Sequence, residues 1–340
     1  MAMIKESGPL DLADYMRIAL TDPEHGYYTN AAALGADGDF ITAPEISQMF
    51  GELIGLWVVD TWNRLGSPED VKLVELGPGR GTLIADALRA IRAASDMPID
   101  LHLVEVNPLL EAEQAKRVNA AWWDSIEQVP PGPMILIANE FFDTLPIQQM
   151  TKTPDGWRRT VVKAEGERLI AEPGPSTAPP IWAAEDFPDG SIIETSEEVI
   201  SLARLLGRRV HAHGGAALII DYGNETSAPG SSLQAVSAHV YADPFDDPGQ
   251  ADLTAHVDFQ ALAEAAITAG AAVAGPVTQN AFLNALGLPA RADALKRSAN
   301  PAQAREIDLA AHRLTAPDQM GTLFKVLAIK SPSLSSLAGL

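Results

Sequence analysis

A glycine-rich turn is the part of the sequence whose spacing points most directly to ligand binding. Residues 75–81 read Glu-Leu-Gly-Pro-Gly-Arg-Gly and stand between a predicted strand and a predicted helix. Glycines let the backbone approach a ligand closely, and the first amides of a helix point toward its polar groups. The nicotinamide-binding fingerprint needs a glycine at its sixth position, where this chain has Thr82. The candidate ligand-binding residues of this turn are Glu75, Gly77, Pro78, Gly79 and Gly81.

An acidic residue follows the next predicted strand. Glu105 stands 28 residues after Gly77, at the end of the strand that begins at Leu101. A carboxylate at this place can accept hydrogen bonds from both hydroxyls of a ribose, as it does in dinucleotide-binding folds. The alternative is a solvated acid at a strand end. Because the glycine turn precedes it, we favour ribose binding.

Polar residues also follow the predicted strand 134–138, in the run Asn139-Glu140-Phe-Phe-Asp143. In open parallel sheets, ligands lie beyond the carboxyl ends of the strands. The side-chain oxygen of Asn139 can accept a hydrogen bond from a nitrogen nucleophile, so we assign it to both ligand binding and catalysis. Glu140 and Asp143 can hold a guanidinium group through charged hydrogen bonds, and Glu140 is the first candidate for a general base. The alternative for Asp143 is a helix cap.

Glu45 is the second candidate for the base, and it also has a structural interpretation. Residues 42–45 read Thr-Ala-Pro-Glu, which matches a capping box with proline in the first turn of a helix. Apolar residues then recur at helical spacing up to Leu65. The pattern therefore predicts one long helix that begins near Thr42.

The elements around these residues alternate between strands and helices. This rhythm predicts an α/β fold with a parallel, Rossmann-like sheet. It breaks after Pro146, where alternating residues and a turn at residues 154–156 predict an inserted β-meander. We predict an N-terminal helical segment (1–66), a core (67–146 and 191–330), the insertion (147–190) and a fraying tail (331–340).

The amino-acid composition limits the classes of partner that the protein is expected to bind. The 340 residues carry 24 Lys+Arg against 45 Asp+Glu, a formal charge of −21. Such a surface repels nucleic acids and anionic membranes and attracts cationic substrates, although simple solubility would explain the charge equally well. Because the chain has no cysteine, it has no disulfides and no thiolate metal sites, and we expect no metal. No apolar run is long enough to span a membrane.

Taken together, the motifs resemble those of the MidA-like methyltransferases, a family that includes mitochondrial complex I assembly factors. The matching stretches are residues 38–47, 75–81, 104–106, 138–143, 221–223 and 252–256. The resemblance implies a class I methyltransferase sheet, S-adenosylmethionine as the methyl donor, and methylation of a protein arginine. It also implies that Asp124, which follows two tryptophans, accepts a hydrogen bond from the adenine amine.

For the mitochondrial members, the resemblance implies a subunit of the NADH:quinone oxidoreductase as the substrate. This chain shows no arginine-rich leader, so we expect a bacterial, cytoplasmic member. Three alternatives stay open at this point: a methyltransferase acting on a small molecule, a nicotinamide oxidoreductase, and a cofactor-binding assembly factor without catalysis.

Overall fold

The computed structural model describes residues 2–29, 42–183, 187–237 and 240–340. The chain divides into two compact units. Unit 1 comprises Met1–Phe40, Asp143–Ser201 and Thr226–Ala261, and unit 2 comprises Ile41–Phe142, Leu202–Glu225 and Leu262–Leu340. This division differs from the predicted one, because the inserted β-meander shares a unit with two other segments that are distant in sequence. Residues 38–41, the start of one family-like stretch, lie outside the described part of the chain.

The helices are numbered in chain order: α1 (Ala2–Ser7), α2 (Leu12–Thr21), α3 (Ala43–Ile46), α4 (Gln48–Arg64), α5 (Thr82–Ala94), α6 (Pro108–Gln114), α7 (Glu197–His213), α8 (Phe259–Thr268), α9 (Gln279–Ala285), α10 (Leu288–Lys296), α11 (Pro301–Thr315) and α12 (Met320–Leu323). The strands are β1 (Leu10–Asp11), β2 (Lys72–Leu76), β3 (Asp100–Val104), β4 (Ala121–Trp123), β5 (Met134–Asn139), β6 (Gln148–Thr153), β7 (Gly156–Glu165), β8 (Arg168–Ser176), β9 (Ile192–Thr195), β10 (Gly215–Asn224), β11 (Gln234–Ser237), β12 (Val240–Ala242), β13 (Asp252–Thr254), β14 (Val257–Asp258), β15 (Ala272–Thr278) and β16 (Phe324–Lys330).

Unit 2 is built on a mixed sheet in the order β15-β16-β10-β5-β2-β3-β4. The strands from β10 to β4 are parallel to their neighbours, whereas β16 runs antiparallel to both β10 and β15. Strand β5 is buried along its whole length, as expected for a strand with covered faces. The predicted α/β fold is thereby confirmed, and the antiparallel β16 is an addition to the parallel sheet that we expected.

Two helices cover one face of this sheet at close range. The core joins α4 and α5 to alternate residues of the strands, among them Leu73, Ile137 and Leu218. A Cβ atom added at Gly51 would lie 2.6 Å from Cβ of Asp86, and one at Gly55 would lie 2.5 Å from the Ala87 carbonyl oxygen. Both glycines are therefore needed for the close approach of α4 to α5, which carries the glycine turn at its start.

Unit 1 contains two antiparallel sheets. The larger runs β1-β7-β6-β9, with β8 paired to the free side of β7, and the smaller runs β12-β11-β13. Strands β6, β7 and β8 form the meander that the alternating pattern predicts between residues 147 and 190. Side chains of α2 and β7, including Leu12, Met16 and Val162, are fully buried in its core.

The predicted capping box is wrong. Thr42 precedes the short helix α3, but its side chain makes no capping hydrogen bond. The long helix α4 begins instead after Ser47, whose hydroxyl accepts a hydrogen bond from the Met49 amide. A break between α3 and α4 therefore leaves Glu45 on a separate short helix, with its side chain available for other contacts.

The C-terminal tail, which we expected to fray, is packed against the core of unit 2. Leu334 and Leu337 are each only 3% exposed and belong to the main apolar cluster. The ammonium group of Lys330 donates to the Leu334 carbonyl oxygen, which closes the turn after β16. Two buried leucines and this bond anchor the segment.

No helix in the described parts of the chain is both long and apolar enough to cross a bilayer.

Candidate active site

The ends of four parallel strands bring four of the predicted site residues into one row. Leu76 pairs with Val104 on one side and Ala138 on the other, and Val104 pairs with Trp123. The residues that follow these positions are neighbours at the carboxyl edge of the sheet. They are Gly77, Glu105, Asp124 and Asn139. Two main-chain hydrogen bonds extend the strand pairing by one residue. They join Gly77 N to Val104 O (3.0 Å) and Glu105 N to Trp123 O (2.9 Å).

The glycine turn needs its glycines for two different reasons. Gly77, Gly79 and Gly81 have φ values of +57°, +52° and +74°, a region that favours glycine. A Cβ at Gly77 would lie 2.6 Å from the Phe141 ring, so no larger residue fits there. A Cβ at Gly79 would meet no protein atom within 4 Å. This open side of Gly79 is where a ligand can approach the backbone.

A buried carboxyl group lies directly before this turn. Glu75 is 3% exposed, and its Oε2 atom has no hydrogen-bond partner among the described residues. Burial, and secondarily the charge of Glu105, raises the pKa of Glu75 to about 8. Burial therefore favours the protonated form of Glu75, whose Oε2 atom has no partner among the described residues beside the turn.

Both carboxylate oxygens of Glu105 accept hydrogen bonds. The Asn107 amide donates to Oε1 at 2.8 Å, and the side-chain amide of Gln114 donates to Oε2 at 3.0 Å. Burial raises the pKa of Glu105, while hydrogen bonds from the Asn107 backbone, the Gln114 side chain and the Val106 backbone act in the opposite direction. A carboxylate has about four acceptor positions, so Glu105 keeps room for a hydroxyl donor.

The turn after β5 contains a strained residue at its centre. Glu140 has a φ of +51°, which costs a non-glycine residue about 1–2 kcal/mol. Its Oε1 atom accepts from the side-chain amide of Asn139 (3.1 Å) and from the Ala43 amide (3.0 Å). Asn139 is 9% exposed, and its Oδ1 atom has no hydrogen-bond partner among the described residues. An acceptor oxygen and a carboxylate are therefore locked together at the edge of the sheet.

Asp221 fixes the same turn from the neighbouring strand. Its Oδ2 atom accepts from the amides of Phe141 (3.2 Å) and Phe142 (2.9 Å), and its Oδ1 atom accepts from the Tyr222 amide (2.9 Å). Asp221 is fully buried. Bonds to several backbone amides over-determine the conformation and hold Glu140 in its unfavourable region.

The remaining predicted residues have different surroundings. Glu45 is exposed, and its Oε1 atom accepts from the hydroxyl of Thr82, the first residue of α5, at 2.6 Å. Asp124 is exposed, and its amide donates to the Gln128 side chain. Asp143 is buried and belongs to unit 1, where its carbonyl oxygen accepts from the Ala255 amide.

A cavity of about 410 Å³ lies elsewhere in unit 2. Its lining includes Leu88, Arg92, Lys116, Arg117 and Trp122. None of the predicted ligand-binding or catalytic residues lines it. The row at the sheet edge, and not this cavity, is therefore the candidate active site.

Sequence reasoning missed three groups that shape the site. Gln114 and the Ala43 amide contact it from segments that are distant in sequence; no local pattern marks Gln114, and the run that contains Ala43 indicated a helix start instead. Asp221 stands in a stretch noted for its resemblance to the family, but its bonds to the turn after β5 could not be foreseen. A buried acid at the end of a core strand is the signal that could have marked it.

The sheet order, with polar residues in a row at the carboxyl edge, is that of an α/β fold whose ligand site lies at the strand ends. Comparison with known proteins identifies the family. The profile of a family described as S-adenosyl-L-methionine-dependent methyltransferases matches residues 53–277. This chain belongs to that family, and S-adenosylmethionine is its methyl donor. The resemblance to a methyltransferase family is confirmed, and the nicotinamide alternative is set aside.

Curated relatives agree with this assignment. The "Protein arginine methyltransferase NDUFAF7 homolog, mitochondrial" of Drosophila melanogaster is 36% identical over 363 residues, which cover 96% of this chain and 83% of the relative. The "Protein arginine methyltransferase NDUFAF7, mitochondrial" of Homo sapiens is 34% identical, over 97% of this chain and 82% of the relative.

A solved structure extends the similarity to the fold and the ligand. It is a COG1565 superfamily member from Burkholderia thailandensis bound to S-adenosyl-homocysteine. It is 26% identical, covers 99% of this chain and 92% of its own, and has a TM-score of 0.87. The residues found here fit such a ligand, since Gly79 has open space beside it and Glu105 has free acceptor positions.

Proposed function

We propose that this protein methylates an arginine side chain of a protein substrate. The observation that carries the proposal is the locked pair after β5, in which Asn139 presents a buried Oδ1 atom without a partner and Glu140 presents a carboxylate. A guanidinium group offers N–H donors for the oxygen and a positive charge for the carboxylate. The names of the relatives, which are protein arginine methyltransferases, support the same chemistry.

In the proposed mechanism, the donor supplies an electrophilic methyl group on a sulfonium, and the chain supplies positioning and proton transfer. The turn at Gly77, Gly79 and Gly81 lets the backbone approach the donor, beside the buried Glu75 and Pro78. Glu105 accepts hydrogen bonds from the ribose hydroxyls, and Asp124 accepts one from the adenine amine. Gly77, Glu105 and Asp124 belong to the row at the sheet edge, and the other residues lie at the end of β2 or in the turn after it.

On the acceptor side, Asn139 orients the nucleophilic nitrogen through its Oδ1 atom. The guanidinium loses a proton as the methyl group is transferred, and Glu140 takes that proton. Glu45, whose carboxylate accepts from Thr82, is the second candidate for the base. Asp143 is a further candidate for pairing with the guanidinium charge.

The finer part of the proposal concerns the partner and the compartment. By its resemblance to complex I assembly factors, we propose a subunit of the NADH:quinone oxidoreductase as the protein substrate, and the bacterial cytoplasm as the place of reaction. The net charge of −21 favours a substrate with a cationic segment.

Labelling tests the proposal directly. The purified protein is incubated with S-adenosylmethionine carrying a labelled methyl group and with a cell lysate, and mass spectrometry then locates the label. Label on an arginine nitrogen of a protein is the expected result. Label only in small molecules would replace the proposal with a small-molecule methyltransferase, and donor binding without any labelled product would replace it with an assembly factor that does not catalyse.

A further inference from the structure

One buried side chain connects three parts of the donor site. Gln114, the last residue of α6, has no exposed surface. Its amide nitrogen donates to the Gly79 carbonyl oxygen at 2.7 Å and to Oε2 of Glu105 at 3.0 Å. Its amide oxygen accepts from the indole of Trp122 at 2.8 Å. Both donors and the acceptor of this amide are therefore in use.

These partners determine how the amide is oriented. If its oxygen and nitrogen were exchanged, the oxygen would face two acceptors, and the nitrogen would face the indole donor. Neither contact would then be a hydrogen bond. Gln114 can thus make its bonds in one arrangement, and that arrangement joins the glycine turn to the Glu105 carboxylate.

Gly81 allows this arrangement at close range. A Cβ atom at Gly81 would lie 3.3 Å from Cγ of Gln114, which is tighter than ordinary contact. The third glycine of the turn therefore packs directly on the Gln114 side chain. Nothing in the turn itself predicts this contact, because Gln114 is 35 residues away from Gly79 in sequence.

These contacts fix the orientation of the Glu105 carboxylate. Oε1 is held by the Asn107 amide and Oε2 by Gln114, so the carboxylate cannot rotate without losing both bonds. In this orientation the carboxylate keeps acceptor capacity for hydroxyl groups. Such a carboxylate recognises a vicinal diol, and a sugar that lacks one of the two hydroxyls leaves one oxygen without its donor.

We propose that Gln114 is a positioning residue that fixes Glu105 relative to Gly79 and thereby makes the donor site selective for a ribose with both hydroxyls. The inference rests on the proposed role of Glu105 in ribose binding. A purely structural role, in which Gln114 only ties α6 to the sheet, would lower the affinity for every ligand of the site by the same factor.

The test measures binding of S-adenosylhomocysteine and of its 2′-deoxy analogue by calorimetry. Gln114→Met keeps the length of the side chain and removes both donors. We expect the affinity for S-adenosylhomocysteine to fall about ten- to hundredfold, in line with bonds to charged groups. The affinity for the 2′-deoxy analogue should fall by a several-fold smaller factor. The ratio of the affinity for S-adenosylhomocysteine to the affinity for its 2′-deoxy analogue should therefore decrease.

Two further variants complete the design. Gln279→Met is the matched control, because Gln279 is also fully buried and donates through its amide, in this case to the Leu314 carbonyl oxygen far from the turn. It should leave both affinities unchanged. Gln114→Glu keeps the shape of the side chain. A carboxyl group has at most one proton, so it cannot donate to both the Gly79 carbonyl oxygen and Oε2 of Glu105. This variant should therefore also decrease the ratio of the two affinities.

The outcomes separate this inference from the proposed function. Equal losses for both ligands in the Gln114 variants, or no loss, would overturn the positioning role. Glu105→Ala provides the second reference: if it leaves binding of S-adenosylhomocysteine unchanged, the proposed role of Glu105 fails. If Glu105→Ala weakens binding while the Gln114 variants leave the ratio unchanged, only the inference about Gln114 fails.

Discussion

The turns after β2 and β5 are neighbours in the sheet, and they reach similar backbone conformations by opposite means. The turn after β2 has its positive φ values at Gly77, Gly79 and Gly81, where they carry little strain. The turn after β5 has a positive φ at Glu140, where it is unfavourable. The first turn leaves space for a ligand, and the second presents a side chain.

The buried carboxyl groups beside the two turns differ in the same way. Asp221 accepts from three backbone amides and holds the turn after β5 in place. Glu75 has an Oε2 atom without a partner among the described residues, and its pKa is raised to about 8. The Asp221 carboxylate thus has its donors within the protein, whereas Oε2 of Glu75 has none among the described residues. Beside the turn after β5, the atom without a partner is Oδ1 of Asn139, which the proposed function assigns to the methyl acceptor. Under the proposed function, the turn after β2 binds the donor and the turn after β5 serves methyl transfer.

The largest expected effect is on the donor turn. Gly79→Val should abolish donor binding, because the side chain would enter the open space beside the backbone, which contains no protein atom within 4 Å. Valine is strained at a positive φ, so folding of the variant is checked first by circular dichroism. Gly66→Val is the matched control, since Gly66 also has a positive φ and no protein atom within 4 Å. Calorimetry with S-adenosylhomocysteine checks both, and unchanged affinity in folded Gly79→Val would refute the donor assignment.

A second prediction concerns stability and the unused carboxyl group. Folding raises the pKa of Glu75 from 4.5 to about 8, so the unfolded chain loses this proton first as the pH rises. Ligand-free wild type should therefore lose stability relative to Glu75→Gln between about pH 5 and pH 8. The difference should reach several kcal/mol, since one pKa unit corresponds to about 1.4 kcal/mol.

Urea unfolding of both proteins at several pH values measures this difference. Glu69→Gln, a change at an exposed glutamate, should follow the wild type throughout. A constant difference between wild type and Glu75→Gln across the range would show that Glu75 is ionised in the folded protein.

A smaller effect is expected at the ribose. Glu105→Ala should weaken donor binding by about 1.5–3 kcal/mol, the value for hydrogen bonds to a charged group. Glu111→Ala, at an exposed glutamate of α6, is the control and should change little. Normal binding by Glu105→Ala would mean that Glu105 serves only to hold Asn107 and Gln114.

The sequence was most informative where function depends on short segments at strand ends. The glycine turn, Glu105 and Asn139 each follow a buried strand directly, and parallel strands bring such ends to one edge of a sheet. Local order along the chain therefore predicts the row of residues without knowledge of the tertiary structure. The parallel part of the sheet could be predicted for the same reason, from the alternation of strands and helices.

What escaped prediction depends on contacts between distant segments. The direction of β16 is not encoded in its apolar run, since parallel and antiparallel strands can share that pattern. The Thr-Ala-Pro-Glu pattern suggested a capping box because it fits one locally, but Ser47 begins α4 instead. Gln114 looks like an ordinary residue at a helix end until the fold brings it to Gly79 and Glu105.

The division of work between the two turns is tested most directly by Glu140→Gln. The glutamine oxygen can still accept from the Asn139 side chain and the Ala43 amide, so the turn should keep its shape. The charge and the proposed base are lost. Donor affinity should stay within a few-fold of wild type, the smallest effect in this series on binding, while methyl transfer to a cationic acceptor should fall about 10²–10⁴-fold.

The measurement compares calorimetric binding of S-adenosylhomocysteine with the rate of label transfer from S-adenosylmethionine, using Glu69→Gln as the control for loss of a glutamate charge. Intact donor binding with a greatly reduced transfer rate is the result that our account predicts. If folded Glu140→Gln no longer binds the donor, Glu140 belongs to the donor site. If neither quantity changes, the base is Glu45 or Asp143, and the separation into a donor turn and an acceptor turn is wrong.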